Sequence, residues 1–155
     1  MPPILYLLIG VQGAGKSTWA AANAARLEAE VVASDAIRNE LEAAGHPAAG
    51  HSEQVFAVLA ERVAAGLTSG RNVIADATHV RRAWRSATLA AARAQAARLL
   101  AVWFDVPLAV SLARNAQRPG GPWGDRIVDE AVIRRLWREL EPPGLDEFDE
   151  ILKVA

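Results

Sequence analysis

The chain has 155 residues, enough for one domain that buries well over half of the surface its unfolded form exposes, so a single compact core is expected over residues 1–155. Ordinary globular usage, 52% hydrophobic and 23% charged, argues against disorder, and the lack of cysteine excludes disulfides, thiolate metal sites and cysteine nucleophiles. A formal net charge of −1 excludes the broad positive field of a protein that tracks many nucleic-acid phosphates, yet leaves room for a local basic pocket.

The first element is the apolar run ILYLLI, residues 4–9, preceded by no basic start and too short to span a bilayer. It reads as a strand rather than a leader or anchor, and a cytoplasmic location with no membrane contact is expected. Directly after it, Gly10, Gly15, Lys16 and Ser17 satisfy the pattern of glycine, four residues, then Gly-Lys-Ser. A helix is expected over residues 16–28. Small residues at Gly13, Ala14 and Gly15 let backbone amides curl around phosphate oxygens, and the helix directs its unsatisfied N–H groups and positive dipole end at the same point. Lys16 adds a positive charge to the β- and γ-phosphates, the Ser17 hydroxyl suits Mg²⁺, and Thr18 follows in the cradle. The group bound is a nucleoside triphosphate with its magnesium ion, but such a loop serves kinases, motors and switches alike.

A second strand over residues 30–33 leads into VVASDAIRNEL and a helix over residues 35–44. Asp35 and Arg38 are one turn apart and project from one face. A carboxylate at the mouth of the cradle can take a proton from an attacking hydroxyl, and a guanidinium one turn away can hold an anionic part of the acceptor. The competing reading is an ordinary N-cap with a surface ion pair. Gly45-His46-Pro47 ends this helix, a third covers residues 52–69 up to Ser69-Gly70, and a third strand covers residues 72–75. It delivers NVIADATHV, which puts Asp76 at a strand end, where ligands sit in a parallel sheet. Asp76 is assigned a metal-side or organising role and Asp35 the role of base. Arg82, in the first turn of a helix over residues 81–97, is assigned with Arg38 and Asp76 to the acceptor side.

A fourth strand over residues 99–104 precedes a helix over residues 107–117, with Pro107 where a first turn tolerates it. Arg114 and Arg118 follow four residues apart, and the glycine- and proline-rich loop RPGGPWGDR ends at Arg126. Arginines on a movable segment can close on a transferring phosphoryl group, so a lid is expected at about residues 114–126. Trp123 in this loop can stack on a base or sugar or equally anchor the loop by packing, and is not assigned to the site; Trp19, Trp84, Trp103 and Trp137 are expected to pack in the core or between helices. A helix over residues 128–140, stopped by Pro142-Pro143-Gly144, and a fifth strand over residues 148–154 complete the chain. His46, His51 and His79 have no ligand spacing. Strands alternating with helices imply a central parallel five-stranded sheet with helices on both faces, an α/β arrangement.

The segments GVQGAGKSTWA, SDAIR, NVIADATHV, VWFDVPLAVSLARNAQR and RIVDEAVIRRLWREL, in this order, resemble the kinase domain of 5′-hydroxyl polynucleotide kinases. That family is one of the small P-loop kinases, with gluconate-kinase-like and zeta-toxin-like enzymes. The resemblance implies a three-layer P-loop NTPase fold of the nucleoside-kinase type with a helical lid. It implies that Lys16 and Ser17 bind ATP and Mg²⁺, that Asp35 activates the 5′-hydroxyl of DNA or RNA, and that Arg38 contacts the acceptor's neighbouring phosphate. Arg114 and Arg118 match lid arginines on the donor phosphates, with Arg118 catalytic. His79 stands where the family pattern often has asparagine, and PGGPW lengthens the path to Arg126. Members are often fused to other repair domains; this chain would act alone or with a separate repair protein. The alternatives are a kinase of a small alcohol, such as a sugar or an antibiotic, and a nucleotide switch with no acceptor. The absence of an Asn-Lys-x-Asp guanine motif counts against the switch.

Overall fold

The computed structural model describes residues 1–47 and 52–155, so His51 lies outside the described residues. Its elements in chain order are β1 (Ile4–Ile9), α1 (Lys16–Asn23), β2 (Ala29–Ala33), α2 (Ser34–Ala43), α3 (Ser52–Thr68) and β3 (Asn72–Asp76). They continue with α4 (Arg82–Ala94), β4 (Arg98–Phe104), α5 (Leu108–Ala116), α6 (Glu130–Glu139) and β5 (Glu150–Val154). All five strands pair in parallel in the order β2-β3-β1-β4-β5.

β1 shows why a near-continuous apolar run becomes a central strand. Its side chains alternate between faces: Leu5, Leu7 and Ile9 join Leu59 and Val63 of α3 in the larger core. Tyr6 and Leu8 join Ala20 of α1 and Phe104 on the opposite face. Both faces are covered, as parallel sheets require, and full burial of each such leucine contributes about 1.5–3 kcal/mol.

Helix ends follow backbone chemistry more closely than hydrophobic period. α3 stops where Gly70 takes φ 83° and the Arg71 amide reaches back to the Gly66 carbonyl at 3.1 Å. α4 closes in the same way without glycine, through Ala96 at φ 54°, and therefore ends at Ala94, short of the expected residue 97. α1 ends at Asn23 instead of residue 28, because the following turns lead to Glu28 at φ 50°. α6 begins at Glu130, two residues later than expected, where the Asp129 side chain caps the Ala131 amide at 2.8 Å.

From β1 the chain travels to β2 and β3 on one side and to β4 and β5 on the other. The segments after their carboxyl ends diverge, and a crevice opens there. A third apolar cluster, Val11, Val80, Ile133 and Leu136, fastens α6 over that end of the sheet. No helix among the described residues is long and apolar enough to cross a membrane.

Candidate active site

The crevice is a cleft of about 660 Å³. The loop after β1 forms its floor. Gly13 has φ 83°, and a Cβ there would overlap the Ser111 carbonyl oxygen of α5, so only glycine lets the loop turn at this point. The Gly10 amide bonds to the Thr78 carbonyl at 3.0 Å, which ties the loop to the segment after β3.

Lys16 is buried, and its Nζ donates to the Val11 carbonyl at 2.9 Å, so the ammonium rests on its own loop. Burial lowers its pKa; Asp76 and Asp35 oppose that shift and Arg118 adds to it. Ser17 Oγ donates to Asp76 Oδ2 at 2.8 Å across 59 residues of sequence. A hydroxyl and a carboxylate meeting beside the cradle are hard oxygen donors of the kind Mg²⁺ takes, so the residues present fit that ion.

Asp35 lies in the first turn of α2, preceded by Ala33 as a cap that makes no side-chain bond. The N-cap reading of Ser34-Asp35 therefore does not apply; the carboxylate lines the cleft instead. Burial raises its pKa first and the charge of Asp76 second, against the pull of Lys16, Arg38 and Arg118. The upward shift thus comes from the partial burial of the carboxyl in the cleft and from a second carboxylate beside it, at a wall that faces the Gly-Lys-Ser loop.

On the opposite wall Arg114 Nη1 donates to the Ala14 carbonyl at 3.3 Å, and Arg118 Nη1 to the Arg126 carbonyl at 3.2 Å. α5 has already ended at Ala116, so Arg118 reaches the cleft from a turn. The Asn115 amide bonds both to the Val128 amide and to its carbonyl, at 3.0 and 2.7 Å, and so pins the far end of the loop.

The cleft thus gathers Gly13, Gly15, Lys16, Ser17 and Thr18, together with Asp35, Arg38 and Asp76, and Arg114 and Arg118. Ala14 is buried beneath it and presents its carbonyl to Arg114. Arg82 is the exception. Its guanidinium pairs with Asp146 at 2.5 and 3.1 Å, outside the cleft, because its position on α4 faces the segment before β5. His79 is fully buried with Nδ1 bonded to the Leu8 carbonyl at 2.8 Å, and it does not line the cleft.

Several lining residues escaped the sequence reading. Trp123 faces the cleft, as do Phe56 and Trp84, whose rings stack at 6.2 Å. Arg135 reaches it with Val132 and Leu136; their spacing of three and four residues along α6 is the signal that could have found it. Trp137, expected to pack, is 45% exposed.

Solved structures with this fold include a gluconokinase from Sinorhizobium meliloti 1021, 21% identical over 99% of this chain and 83% of that one, with a TM-score of 0.67. Kti12 from Chaetomium thermophilum in complex with ADP-AlF3 is 16% identical over 97% of this chain and 88% of its own, with a TM-score of 0.79. A chain of the Pnkp1/Rnl/Hen1 RNA repair complex is 22% identical over 89% of this chain but only 44% of its own, with a TM-score of 0.73. No curated protein sequence matches significantly. Residues 5–143 match the family model described as AAA domain. With that match added to the Gly-Lys-Ser loop and the five-stranded parallel sheet, the chain belongs to this AAA-domain family.

Proposed function

We propose that the protein is an ATP-dependent phosphotransferase that moves the γ-phosphate to the 5′-hydroxyl end of DNA or RNA. The observation that carries this reading is Asp35 with Arg38 on one face of α2 at the cleft: a half-buried carboxylate one turn from a cation suits an alcohol that stands next to a phosphate. The whole of residues 1–155 acts as one kinase domain, with residues 114–126 as its lid. The likeness to a chain of an RNA repair complex agrees with this acceptor, and the likeness to a gluconokinase keeps a small alcohol as the alternative.

In this reading Asp35 takes the proton of the acceptor hydroxyl as its oxygen attacks the γ-phosphorus in line with the departing β-phosphate oxygen. Lys16 leaves the Val11 carbonyl for the β- and γ-phosphates, and the cradle amides from Gly13 to Thr18 hold the phosphate chain. Arg118 stabilises the charge that spreads over the transferring group, while Arg114 clamps the donor phosphates. Ser17 and Asp76 would hold Mg²⁺ or its waters, and the ion when bound neutralises phosphate charge.

The test supplies labelled ATP with hydroxyl-ended DNA and RNA oligonucleotides and a panel of sugars. Label in the oligonucleotides supports the proposal. Label in a sugar alone refutes the acceptor, and nucleotide binding without transfer to any alcohol refutes the kinase reading.

A further inference from the structure

The loop between Arg118 and Arg126 is fastened to α2, which carries the proposed base, and not only to its own neighbours. The Asn39 side-chain amide donates to the Trp123 carbonyl at 3.0 Å and accepts from the Trp123 amide at 2.9 Å, a two-bond clamp across 84 residues of sequence. The indole Nε1 donates to Glu42 Oε1 at 2.7 Å. The Arg38 and Arg126 guanidinium carbons lie 4.9 and 4.0 Å from the centre of the indole ring, within cation–π range. Arg126 also stands 3.6 Å from Glu42.

These contacts follow from helical spacing. Asp35, Arg38, Asn39 and Glu42 occupy positions i, i+3, i+4 and i+7 of α2, which form one stripe. The stripe therefore presents the carboxylate, a guanidinium, the clamp for Trp123 and the acceptor for its indole N–H in register. At Gly124 the loop passes over the carboxylate, since a Cβ there would stand 3.9 Å from Asp35 Cβ. Trp123 thus packs against two guanidiniums that line the same cleft as Asp35, with Arg38 also donating to Ser52 Oγ at 3.3 Å.

We infer that Trp123 is a positioning and specificity residue: held by Asn39 and Glu42, it arranges Arg38 and Arg126 as a paired cationic receptor for an anionic group next to the acceptor hydroxyl. The inference rests on the proposed acceptor reading and narrows it. The substrate class is an alcohol with a phosphate beside it, and neutral polyols of similar size are disfavoured. Planar guanidiniums in a fixed relation recognise phosphate oxygens better than mobile ones, because less side-chain freedom is lost on binding.

The test compares three alcohols with and without a phosphate: thymidine, glucose and glycerol against thymidine 3′-phosphate, glucose 6-phosphate and glycerol 3-phosphate. For each pair the ratio of kcat/KM, phosphate-bearing over neutral, is measured in the wild-type protein, Trp123→Ala and Trp123→Phe. The expected result is a fall in this ratio of about five- to thirtyfold in Trp123→Ala, the range that two partly exposed cation–π contacts supply. It is carried by KM for the acceptor, with KM for ATP shifting less than twofold and the ratio largely recovered in Trp123→Phe. A loss shared equally by both members of each pair, or by KM for ATP, would make Trp123 a structural cover and overturn the inference. Transfer to glucose 6-phosphate but to no nucleoside or oligonucleotide would remove the nucleic-acid acceptor while leaving the inference standing on its ratio. A wild-type preference for the neutral alcohols would overturn it outright.

Discussion

Protonation of His79 should couple the stability of the fold to pH, and the size of the effect can be worked from its surroundings. The ring is fully buried against Phe56, 5.6 Å away, and burial pushes its pKa down from 6.5 to about 4, with Lys16 and Arg85 adding to the shift and the bond to the Leu8 carbonyl opposing it. The unfolded chain therefore binds a proton at this ring at pH values where the native protein does not. Stability from this group is present above pH 6.5 and is lost as pH falls towards 4. At 1.36 kcal/mol per unit the total is about 3 kcal/mol, of which about 2 kcal/mol disappears between pH 7 and pH 5. His79→Asn removes the titrating ring but preserves its other two tasks. Asparagine tolerates the left-handed φ of 46°, and its amide can donate to the Leu8 carbonyl. The assay is urea unfolding of both proteins at pH 7, 6 and 5. The wild type should lose about 2 kcal/mol more than the variant over that span, a difference of about 4–8 °C in melting temperature for a chain of this size. Parallel pH profiles would refute the assignment and would mean that the imidazole reaches water in the native state.

Three further variants have expected outcomes. Asp35→Asn should lower transfer by about two to four orders of magnitude with ATP affinity largely intact, the scale of a lost general base, and equal loss of ATP affinity would make Asp35 a metal-side residue. Because its native carboxyl pKa is raised above 3.8, ionised Asp35 opposes folding; the same variant should therefore melt higher than wild type at pH 7, and the difference should vanish as pH falls to about 3.8. Gly13→Ala forces an L side chain to φ 83° against the Ser111 carbonyl; loss of binding to a fluorescent ATP analogue together with a lower melting temperature is expected, and unchanged binding would contradict the close packing of the cradle on α5. Arg85→Met should cost about 3–5 kcal/mol in urea unfolding, because it takes two bonds at 2.8 Å from the Glu147 carboxylate, leaving the longer pair with Arg82 at 3.7 Å, and it releases the Glu141 carbonyl as well. A cost below about 1 kcal/mol would show that water replaces these bonds.

Local signals were enough to predict the parallel α/β fold, the glycine-rich loop between β1 and α1 and Asp76 at the end of β3, whereas Asp35 lies in the first turn of α2 and not at a strand end. Glycines at fixed spacing before Lys16 dictate a backbone path, β-branched runs dictate strands, and a three-residue step puts Asp35 and Arg38 on one helix face; each of these acts within a few residues. Helix ends were less legible, since Glu28 and Ala96 adopt left-handed conformations that composition does not announce.

What only the tertiary structure decided are pairings between distant positions. Asn39 meets Trp123 across 84 residues, Ser17 meets Asp76 across 59 and Arg85 meets Glu147 across 62. Arg82 and Arg85 share α4, yet one pairs at the surface with Asp146 and the other is fully buried, a difference set by the packing of the segment before β5. The physical reason is that spacing along a chain specifies conformation and face, whereas the partner of a face depends on the order in which the strands lie in the sheet. Here the sequence alone determined that a Gly-Lys-Ser loop follows β1 and that Asp35 and Arg38 share one face of α2. The order β2-β3-β1-β4-β5 decided that α2, α5 and the loop carrying Trp123 close around the same cleft.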